Sequence, residues 1–535
     1  MDEFDYVIVG AGAAGCVLAA RLTEDPATRV CLLEAGPPDR NRWIRVPAGF
    51  TKTLFDPGIT WPFRTEPTAH TGGRAIATTV GRTLGGSSAI NGMIYNRGQP
   101  ADLDSWAQRG NRGWGYADML PYYQKSESRP AGDPATRGDA GPIPVTDQDW
   151  IHPVSEAFIA GCVGLGMRRN PDYNSGDQAG VGYYQRTIAN GRRVSAAHGY
   201  LAGAADRPNL EIRTDSRACA ILWDGTRATG VRTLAARDAP PRTVLARREV
   251  IVSAGTVNTA RLLQVSGIGP ADVLEQLGVA PVAVLPAGNN LRDHFAVRFV
   301  MRAKRGTTTL NELARGPRLA GQIARWAMGR PSILATAPSH VHAFCNGYDP
   351  FAPPNLQCVF TPGSYVAGRT YILDNYPGVT AGAWPHRPES TGTVRATTTD
   401  VFTDPIIQPN YLSHADDRRL TLAGMRLVRR MLGTPEISPY LDAETLPGAA
   451  AQSDDELMDH ARQTGSTTYH LIGTARMGPA TDPTTVVDDR LRVHGVQGLR
   501  VIDASIMPSM PSANTYATTL AIAERAADFL RGRVP

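Results

Sequence analysis

The sequence predicts an α/β protein that begins with a Rossmann-like unit and also contains a second domain. A short apolar run, YVIV at 6–9, precedes the stretch GAGAAG at 10–15, and a second run, VCLL, follows at 30–33. Short runs rich in β-branched residues are typical of strands buried on both faces. Similar runs return at 250–252 and 499–502. With 535 residues, of which 42% are hydrophobic, the chain can form two to four domains.

The first unit reads strand, glycine turn, helix, strand and acid, which is the order of a dinucleotide-binding βαβ unit. Gly10 permits the tight turn, Gly12 lets the backbone approach a pyrophosphate, and Gly15 allows close packing of helix on strand. Glu34 stands where an acid accepts hydrogen bonds from a ribose. A glycine turn of purely structural use is the alternative. The pattern favours dinucleotide binding but does not distinguish NAD from FAD.

Two later segments carry similar turn chemistry. Residues 81–106 contain Gly85 and Gly86, two serines and several Asn-Gly and Gly turns, which indicates a second loop near a phosphate or ring, or a surface loop. Residues 248–270 read as a strand, a glycine turn and a helix. This segment predicts a further strand of the first sheet, separated from the first two strands by many residues of the chain.

Composition excludes several classes of protein. The net charge of +5 is spread along the chain without a basic run, so we expect no nucleic-acid partner. No run of about 18 apolar residues occurs, so no transmembrane segment is expected. The acidic start MDEFD lacks the features of a signal peptide, and the six cysteines form no CxxC pair. Free, buried thiols and a cytoplasmic location are therefore expected.

Taken together, these segments resemble the GMC (glucose-methanol-choline) oxidoreductases, which are FAD-dependent. Residues 81–106 and 255–270 are similar to the two signature regions of that family, and RPESTGTV (387–394) and DPIIQPNYL (404–412) are similar to strands of its substrate domain. YHLIGTARMG (469–478) and the stretches at 486–508 and 512–530 resemble its C-terminal motifs. The resemblance spans residues 4–530 and is closest to bacterial alcohol and choline dehydrogenases.

The resemblance implies an FAD-binding domain of the GMC type and a second, substrate-binding domain built on a mixed or antiparallel sheet. Residues 1–155, 195–300 and 465–535 are expected to form the FAD domain, and residues 156–194 and 301–464 the substrate domain. Relatives that bind flavin covalently use a histidine where this chain has Ile90. FAD is therefore expected to be held noncovalently.

Cofactor contacts are predicted in the glycine turn, the second glycine segment and the C-terminal motifs. The predicted residues are Gly10, Gly12, Ala13, Ala14, Gly15, Glu34, Arg82, Gly85, Gly86, Ser87, Asn91, Gly92, Met93, Ile94, Ala218, Ala254, Tyr469, Asp503, Ala504 and Thr515.

The resemblance also places the reaction at His470 and Asn514. Oxidation of an alcohol requires loss of the hydroxyl proton as a hydride leaves for flavin N5, and a neutral imidazole suits that task near pH 7. His470 is accordingly the predicted general base, and Asn514 the amide that binds the alcohol oxygen. A histidine buried in the core and an asparagine that merely caps the following helix are the structural alternatives.

The sequence predicts FAD-dependent oxidation of a primary alcohol to the aldehyde, with a small-molecule alcohol as substrate and oxygen or a quinone-type compound as electron acceptor. A flavin-retaining lyase of the cyanohydrin type and an NAD-dependent dehydrogenase are the alternatives. His340 and His342 alternate as in a strand, but no third ligand is spaced to complete a metal site, and none is predicted. The identity of the alcohol and the oligomeric state, a homodimer included, stay open.

Overall fold

The computed structural model describes residues 2–366 and 372–533. Residues 1, 534 and 535 at the outer limits of the predicted FAD domain, and residues 367–371 inside the predicted substrate domain, lie outside the described residues. Two seven-stranded sheets dominate the fold, and short strand pairs and helices surround them.

The elements are numbered in chain order. The strands are β1 Glu3–Val9, β2 Val30–Leu33, β3 Thr60–Trp61, β4 Val80–Gly81, β5 Glu127–Ser128, β6 Ile143–Pro144, β7 Gly180–Tyr183, β8 Ile188–Ala189, β9 Arg192–Arg193, β10 Leu210–Arg213, β11 Arg217–Asp224, β12 Arg227–Leu234, β13 Arg242–Val252, β14 Ile268–Gly269, β15 Ala283–Val284, β16 Phe295–Ala303, β17 Val341–Cys345, β18 Leu356–Thr361, β19 Gly378–Pro385, β20 Thr393–Arg395, β21 Ile406–Gln408, β22 Leu441–Leu446, β23 Ser466–Thr467 and β24 Leu499–Val501. The α-helices are α1 Ala13–Leu22, α2 Arg42–Arg45, α3 Phe50–Thr53, α4 Pro100–Gln108, α5 Tyr116–Ser126, α6 Pro153–Gly164, α7 Gly255–Val265, α8 Ala271–Leu277, α9 Leu310–Leu313, α10 Gly316–Ala327, α11 Ala415–Leu432, α12 Asp454–Thr464 and α13 Thr515–Leu530.

The first sheet has the Rossmann-like core that the sequence predicts. Its order is β10-β2-β1-β13-β12-β11, and β24 also pairs with β13. The strands β10, β2, β1, β13 and β24 pair in parallel, whereas β12 and β11 add an antiparallel extension. The central strands are buried on both faces, as their continuous apolar runs predict. Helix α13 packs against α1, so the two ends of the chain share one core.

The second sheet is antiparallel, with the order β22-β16-β19-β18-β17-β7. One face carries apolar side chains such as Val297, Phe299, Phe360 and Ala381, which form a separate core with α11. Side chains on the opposite face, among them Arg298, line a cavity. The predicted fold class, an α/β protein with a second domain built on such a sheet, is confirmed.

Two details differ from the sequence-based expectation. The strands expected at 387–394 and 404–412 form their own two-stranded sheet, β20 with β21, and do not join the second sheet. Val394 and Ile407 pack instead in a small apolar cluster with Val257 and Ala260 of α7. Strand β16 of the second sheet begins at Phe295, inside the range predicted for the FAD domain. The division into domains at the predicted residues stays a prediction.

All six cysteines are free thiols. Within residues 2–366 and 372–533, no helix is both long and apolar enough to cross a membrane.

Candidate active site

A cavity of about 410 Å³ lies among the glycine turn, the second sheet and the C-terminal motifs. Val9 and Gly12 contribute to it from the first βαβ unit, Trp384 from the second sheet, and His470 and Asn514 from the C-terminal segments. Its volume falls within the range of small-molecule and cofactor sites, roughly 300–1,000 Å³. Residues from distant parts of the chain therefore meet around one space.

Three helices begin at this cavity. Ala13, Gly255 and Thr515 are the first residues of α1, α7 and α13, and each lines the cavity. A Cβ built on Gly255 would meet no atom within 4 Å, and one on Gly12 would approach only the Ser253 carbonyl, at 4.0 Å. The backbone at these helix N-termini is therefore open to the cavity. At α1 the free N–H groups and the positive end of the helix dipole favour a diphosphate or another anion, whereas at α7 the Gly255 N–H already donates to the Asp503 carboxylate.

The two glycine loops pack directly on each other. A Cβ on Gly86 would lie 2.7 Å from the Cα of Gly12, and one on Gly15 would lie 1.9 Å from the Gly10 carbonyl oxygen. Gly10 itself has a φ of +102°, a conformation that L side chains rarely adopt. The close approach of the loops and of α1 to β1 depends on these missing side chains.

Glu34 follows β2 and lines the cavity while it is held by backbone donors. Its carboxylate accepts hydrogen bonds from the N–H groups of Ala11, at 3.0 Å, and Gly36, at 2.9 Å. Burial raises the pKa of Glu34 to about 7, although these hydrogen bonds oppose the shift.

The predicted cofactor residues line the cavity, with three exceptions. Gly15 faces the Gly10 carbonyl, and a Cβ on Gly85 would lie 3.2 Å from the hydroxyl of Ser195. Arg82 turns away and donates to the carbonyls of Pro57 and Gly58. These three residues therefore shape the loops from outside the cavity wall. Ile90, at the position where relatives carry a histidine, lines the cavity.

His470 reaches the cavity from a strained turn. Tyr469 before it has a φ of +64°, in the left-handed region that costs non-glycine residues about 1 kcal/mol or more. The hydroxyl of Thr467 accepts a hydrogen bond from the Tyr469 N–H at 2.7 Å and stabilises the turn. His470 itself is only 8% exposed. The turn thus directs a nearly buried imidazole to the cavity.

A chain of hydrogen bonds defines the tautomer of His470. The His386 carbonyl lies 2.7 Å from His294 Nε2, and a carbonyl can only accept, so Nε2 of His294 carries the hydrogen. Nδ1 of His294 is then an acceptor for Nδ1–H of His470, at 3.0 Å. Consequently Nε2 of His470 presents a lone pair. His294 thereby orients the ring that lines the cavity.

Asn514 stands at the N-cap position of α13 but makes no side-chain cap. Its Nδ2 lies 3.0 Å from His470 Nε2, and its Oδ1 accepts hydrogen bonds from the amides of Asn96 and Gln357, each at 3.3 Å. These acceptor contacts fix the orientation of the amide. One N–H therefore points at the His470 lone pair, and the second hydrogen of Nδ2 is available to another acceptor.

Asp293 is a further residue at this site that sequence reasoning did not identify. Its carboxylate accepts from the His470 N–H at 2.8 Å and from the hydroxyls of Tyr411 and Thr467, each at 2.5 Å. Burial raises its pKa to about 6. Burial and the neighbouring His294 hold the pKa of His470 well below its ordinary value of 6.5. Near pH 7 a neutral imidazole therefore lies beside a carboxylate.

The other two histidines that the sequence singled out lie elsewhere. His340 contacts the Ser155 hydroxyl at 2.8 Å and the Trp150 carbonyl at 3.0 Å, and His342 stacks on Phe344. Neither lines the cavity. Across the described part of the chain, no three His, Cys, Asp or Glu side chains come together in a way that could hold a metal ion.

Comparison with known proteins identifies relatives along the whole chain. Two family models, both described as GMC oxidoreductase, match residues 4–296 and 388–523. Human mitochondrial choline dehydrogenase is 38% identical over 541 residues, which cover 99% of this chain and 90% of that protein. The alcohol dehydrogenase [acceptor] of Pseudomonas putida is 36% identical over 539 residues, 99% of this chain and 96% of that protein.

Solved structures show the same similarity in three dimensions. The crystal structure of pyridoxine 4-oxidase from Mesorbium loti superposes with a TM-score of 0.90 at 31% sequence identity, and the match covers 99% of this chain and 100% of that one.

Proposed function

The chain belongs to the GMC oxidoreductase family, and we propose that it oxidises a primary alcohol to the aldehyde with noncovalently bound FAD. When bound, FAD supplies the acceptor for the hydride that leaves the carbinol carbon. Oxygen or a quinone-type compound is the proposed acceptor in the second half of the reaction.

The cavity lining fits such a dinucleotide. Open backbone at Gly12 leaves room beside the N-terminus of α1 for the diphosphate. Glu34 lies at the cavity wall with the carboxylate that a ribose hydroxyl requires. Ile90 has no nucleophilic atom, which supports noncovalent attachment. The residues that would hold the cofactor are therefore those of the glycine loops, Glu34 and the C-terminal segment at Asp503 and Ala504.

The observation that carries the proposal is the pairing of His470 Nε2 with Asn514 Nδ2 at the cavity wall. An alcohol hydroxyl that displaces this hydrogen bond donates its proton to the Nε2 lone pair. The same oxygen accepts a hydrogen bond from the Asn514 amide, which stabilises the alkoxide character that develops as the carbonyl forms.

The transferred proton gives His470 a positive charge that needs support in a buried site. Asp293 accepts a hydrogen bond from the His470 backbone N–H and so holds the turn that carries the ring. Nδ1–H of His470 donates to His294 Nδ1, so the charge is shared along the chain that ends at the His386 carbonyl. His294 and Asp293 act as positioning residues because they act through His470.

Replacement of the base tests the proposal. His470→Ala should retain bound flavin but lower turnover of a primary alcohol by about 100-fold or more, because a general base contributes roughly 10²–10⁴-fold. Asn514→Ala should also keep its flavin and lose turnover. Stopped-flow reduction of the bound flavin under anaerobic conditions measures the step directly, and acid precipitation should release the flavin from the protein.

His70→Ala serves as the matched control, since His70 does not line the cavity. Near-native flavin reduction in His470→Ala would refute the assignment of the base. The proposed reaction would be refuted if the protein bound flavin but oxidised no primary alcohol, whether oxygen or an artificial quinone was supplied as the acceptor.

A further inference from the structure

One basic residue on the second sheet faces the cavity without an anionic partner. Arg298 lies on β16, on the face of the sheet that lines the cavity. It makes no side-chain hydrogen bond or ion pair with any described residue, and its electrostatic neighbours are the phenols of Tyr469 and Tyr365. Burial raises the pKa of each phenol to about 12, so neither supplies a negative charge near pH 7.

The sheet is shaped to admit this side chain. Gly382 on β19 is the register partner of Arg298, and a Cβ on Gly382 would lie 3.2 Å from the Cγ of Arg298. The missing side chain of Gly382 therefore leaves the space that the arginine stem crosses. A buried cation without a partner costs free energy, so its retention in a cavity wall indicates that a ligand completes it.

Two further polar groups of the same wall lack partners. The hydroxyl of Thr380 and the indole N–H of Trp384 are buried, make no hydrogen bond within the described residues, and belong to residues that line the cavity. Both lie on β19 with Gly382 between them, and alternation along a strand places all three positions on one face. This wall therefore presents a guanidinium, an indole N–H and a hydroxyl.

Acidic side chains, by contrast, lie away from this wall. Among the described residues that line the cavity, only Glu34 and Asp503 are acidic. Both accept backbone hydrogen bonds in the dinucleotide part, Glu34 from Ala11 and Gly36, and Asp503 from Gly255. A substrate with a quaternary ammonium group would meet a cation at the second sheet, with no carboxylate to balance its charge.

We propose that Arg298 binds the carboxylate of the substrate, so that the enzyme oxidises hydroxymethyl acids in preference to neutral or cationic alcohols. This inference rests on the proposed alcohol oxidation. His294, which orients the base, and Arg298 are four residues apart on the same face of the chain, a separation of about 13 Å along a strand. The reach of the arginine side chain shortens this span, so the acid group belongs several bonds from the carbinol, as in 4-(hydroxymethyl)benzoate.

The test compares three alcohols on the flavin-loaded enzyme: 4-(hydroxymethyl)benzoate, its methyl ester and choline. Wild-type enzyme should show the highest kcat/KM with the acid. Arg298→Gln should lower kcat/KM for the acid by roughly 10- to 100-fold, which is the range expected for a lost hydrogen bond to a charged group. The kcat/KM of the same variant for the ester should change by less than about threefold. Arg298→Lys should restore part of the preference for the acid.

Arg302→Gln is the matched control because Arg302 lies on the same strand, is exposed and does not line the cavity. Calorimetric titration of 4-methylbenzoate, which carries no hydroxyl, gives a second readout: wild type and Arg302→Gln should bind it, and Arg298→Gln should bind it at least tenfold more weakly. Flavin content and melting temperature identify a variant that has failed to fold. If Arg298→Gln fails to fold, Arg298→Lys is compared with the wild type instead.

The outcomes separate the two ideas. Equal kcat/KM for acid and ester in the wild type, or an equal loss for both in Arg298→Gln, would overturn the role of Arg298 and leave alcohol oxidation intact. Binding of 4-methylbenzoate through Arg298 without oxidation of any of the alcohols would instead overturn the proposed reaction and leave the carboxylate site.

Discussion

The two sides of the cavity differ in how their polar groups are satisfied. On the dinucleotide side, Glu34 and Asp503 accept two or more hydrogen bonds each from the protein itself. On the side of the second sheet, Arg298, Thr380 and Trp384 have polar groups without partners among residues 2–366 and 372–533. A buried polar group costs free energy unless it is paired. The two acids of the first side are therefore already paired, whereas these three side chains of the second sheet still have polar groups that a ligand could pair.

The largest loss of stability and of bound flavin is expected from a substitution where the dinucleotide side is most tightly packed. Gly15→Ala places a Cβ 1.9 Å from the Gly10 carbonyl oxygen, so α1 has to move away from the turn. Overpacking of this kind costs about 3 kcal/mol, and we expect the variant to lose its bound flavin as well. The ratio of flavin to protein and the unfolding free energy measure both effects.

Gly203→Ala is the control for that substitution, because its Cβ would meet no atom within 4 Å. Full flavin content and unchanged stability in Gly15→Ala would show that the close packing of helix on turn is not needed.

The two sides should also respond to acid in opposite directions. Burial lowers the pKa of His342, on strand β17 of the second sheet, to about 3, so its stabilising contribution is present above pH 6.5 and is lost as the pH falls towards 3. Burial raises the pKa of Glu34 to about 7, so its contribution is present below its ordinary pKa of 4.5 and is lost as the pH rises through 7. Acid therefore weakens one side and favours the other.

His342→Phe tests the first half of this contrast. Between pH 7 and pH 5 the wild type should lose about 2 kcal/mol of stability that the variant keeps, given an unfolded pKa near 6.5. Urea unfolding at the two pH values measures the difference, with Phe344→Leu as a neighbouring change that removes no titrating group. Parallel losses in wild type and His342→Phe would show that His342 does not titrate on unfolding.

The smallest difference in stability is expected between substitutions of two buried threonines. Thr259 donates a hydrogen bond to Asp503 at 2.7 Å, whereas the Thr380 hydroxyl has no partner among the described residues. Thr259→Val should cost about 1–2 kcal/mol because it removes a partner from a buried carboxylate, and Thr380→Val should change stability by less than about 0.5 kcal/mol. Thermal unfolding without substrate measures both, and equal losses would remove the distinction between the two sides.

The sequence was most informative about the dinucleotide side, because its signals are local. The apolar runs at 6–9 and 30–33 and the spacing of Gly10, Gly12 and Gly15 predict the βαβ unit from residues close together in the chain. The sequence did not indicate that the strands predicted at 387–394 and 404–412 pair with each other and stay apart from the second sheet. Short strands carry little information about which neighbour they pair with, since that depends on distant packing.

For the same reason, the sequence could not predict which residues of the second sheet face the cavity. Arg298 stands in the apolar run FAVRFVMRA, where one arginine gives no sign that it faces a cavity, and Asp293 gives no sign that it will lie beside His470. Alternation along β16 places Arg298 opposite the apolar face, but only the pairing with β19 shows that Gly382 makes room for it. That pairing joins distant segments of the chain, so no local sequence pattern could have shown it.

The first and last parts of the chain depend on each other. Helix α13 packs on α1, Arg21 pairs with Glu524 at 2.8 Å, and β24 adds to the sheet that β1 begins. Because α13 and β24 are synthesised long after α1 and β1, a growing polypeptide cannot close the core that the two helices share until these late segments have emerged. The glycine turn therefore waits on the ribosome for the helix that packs against α1.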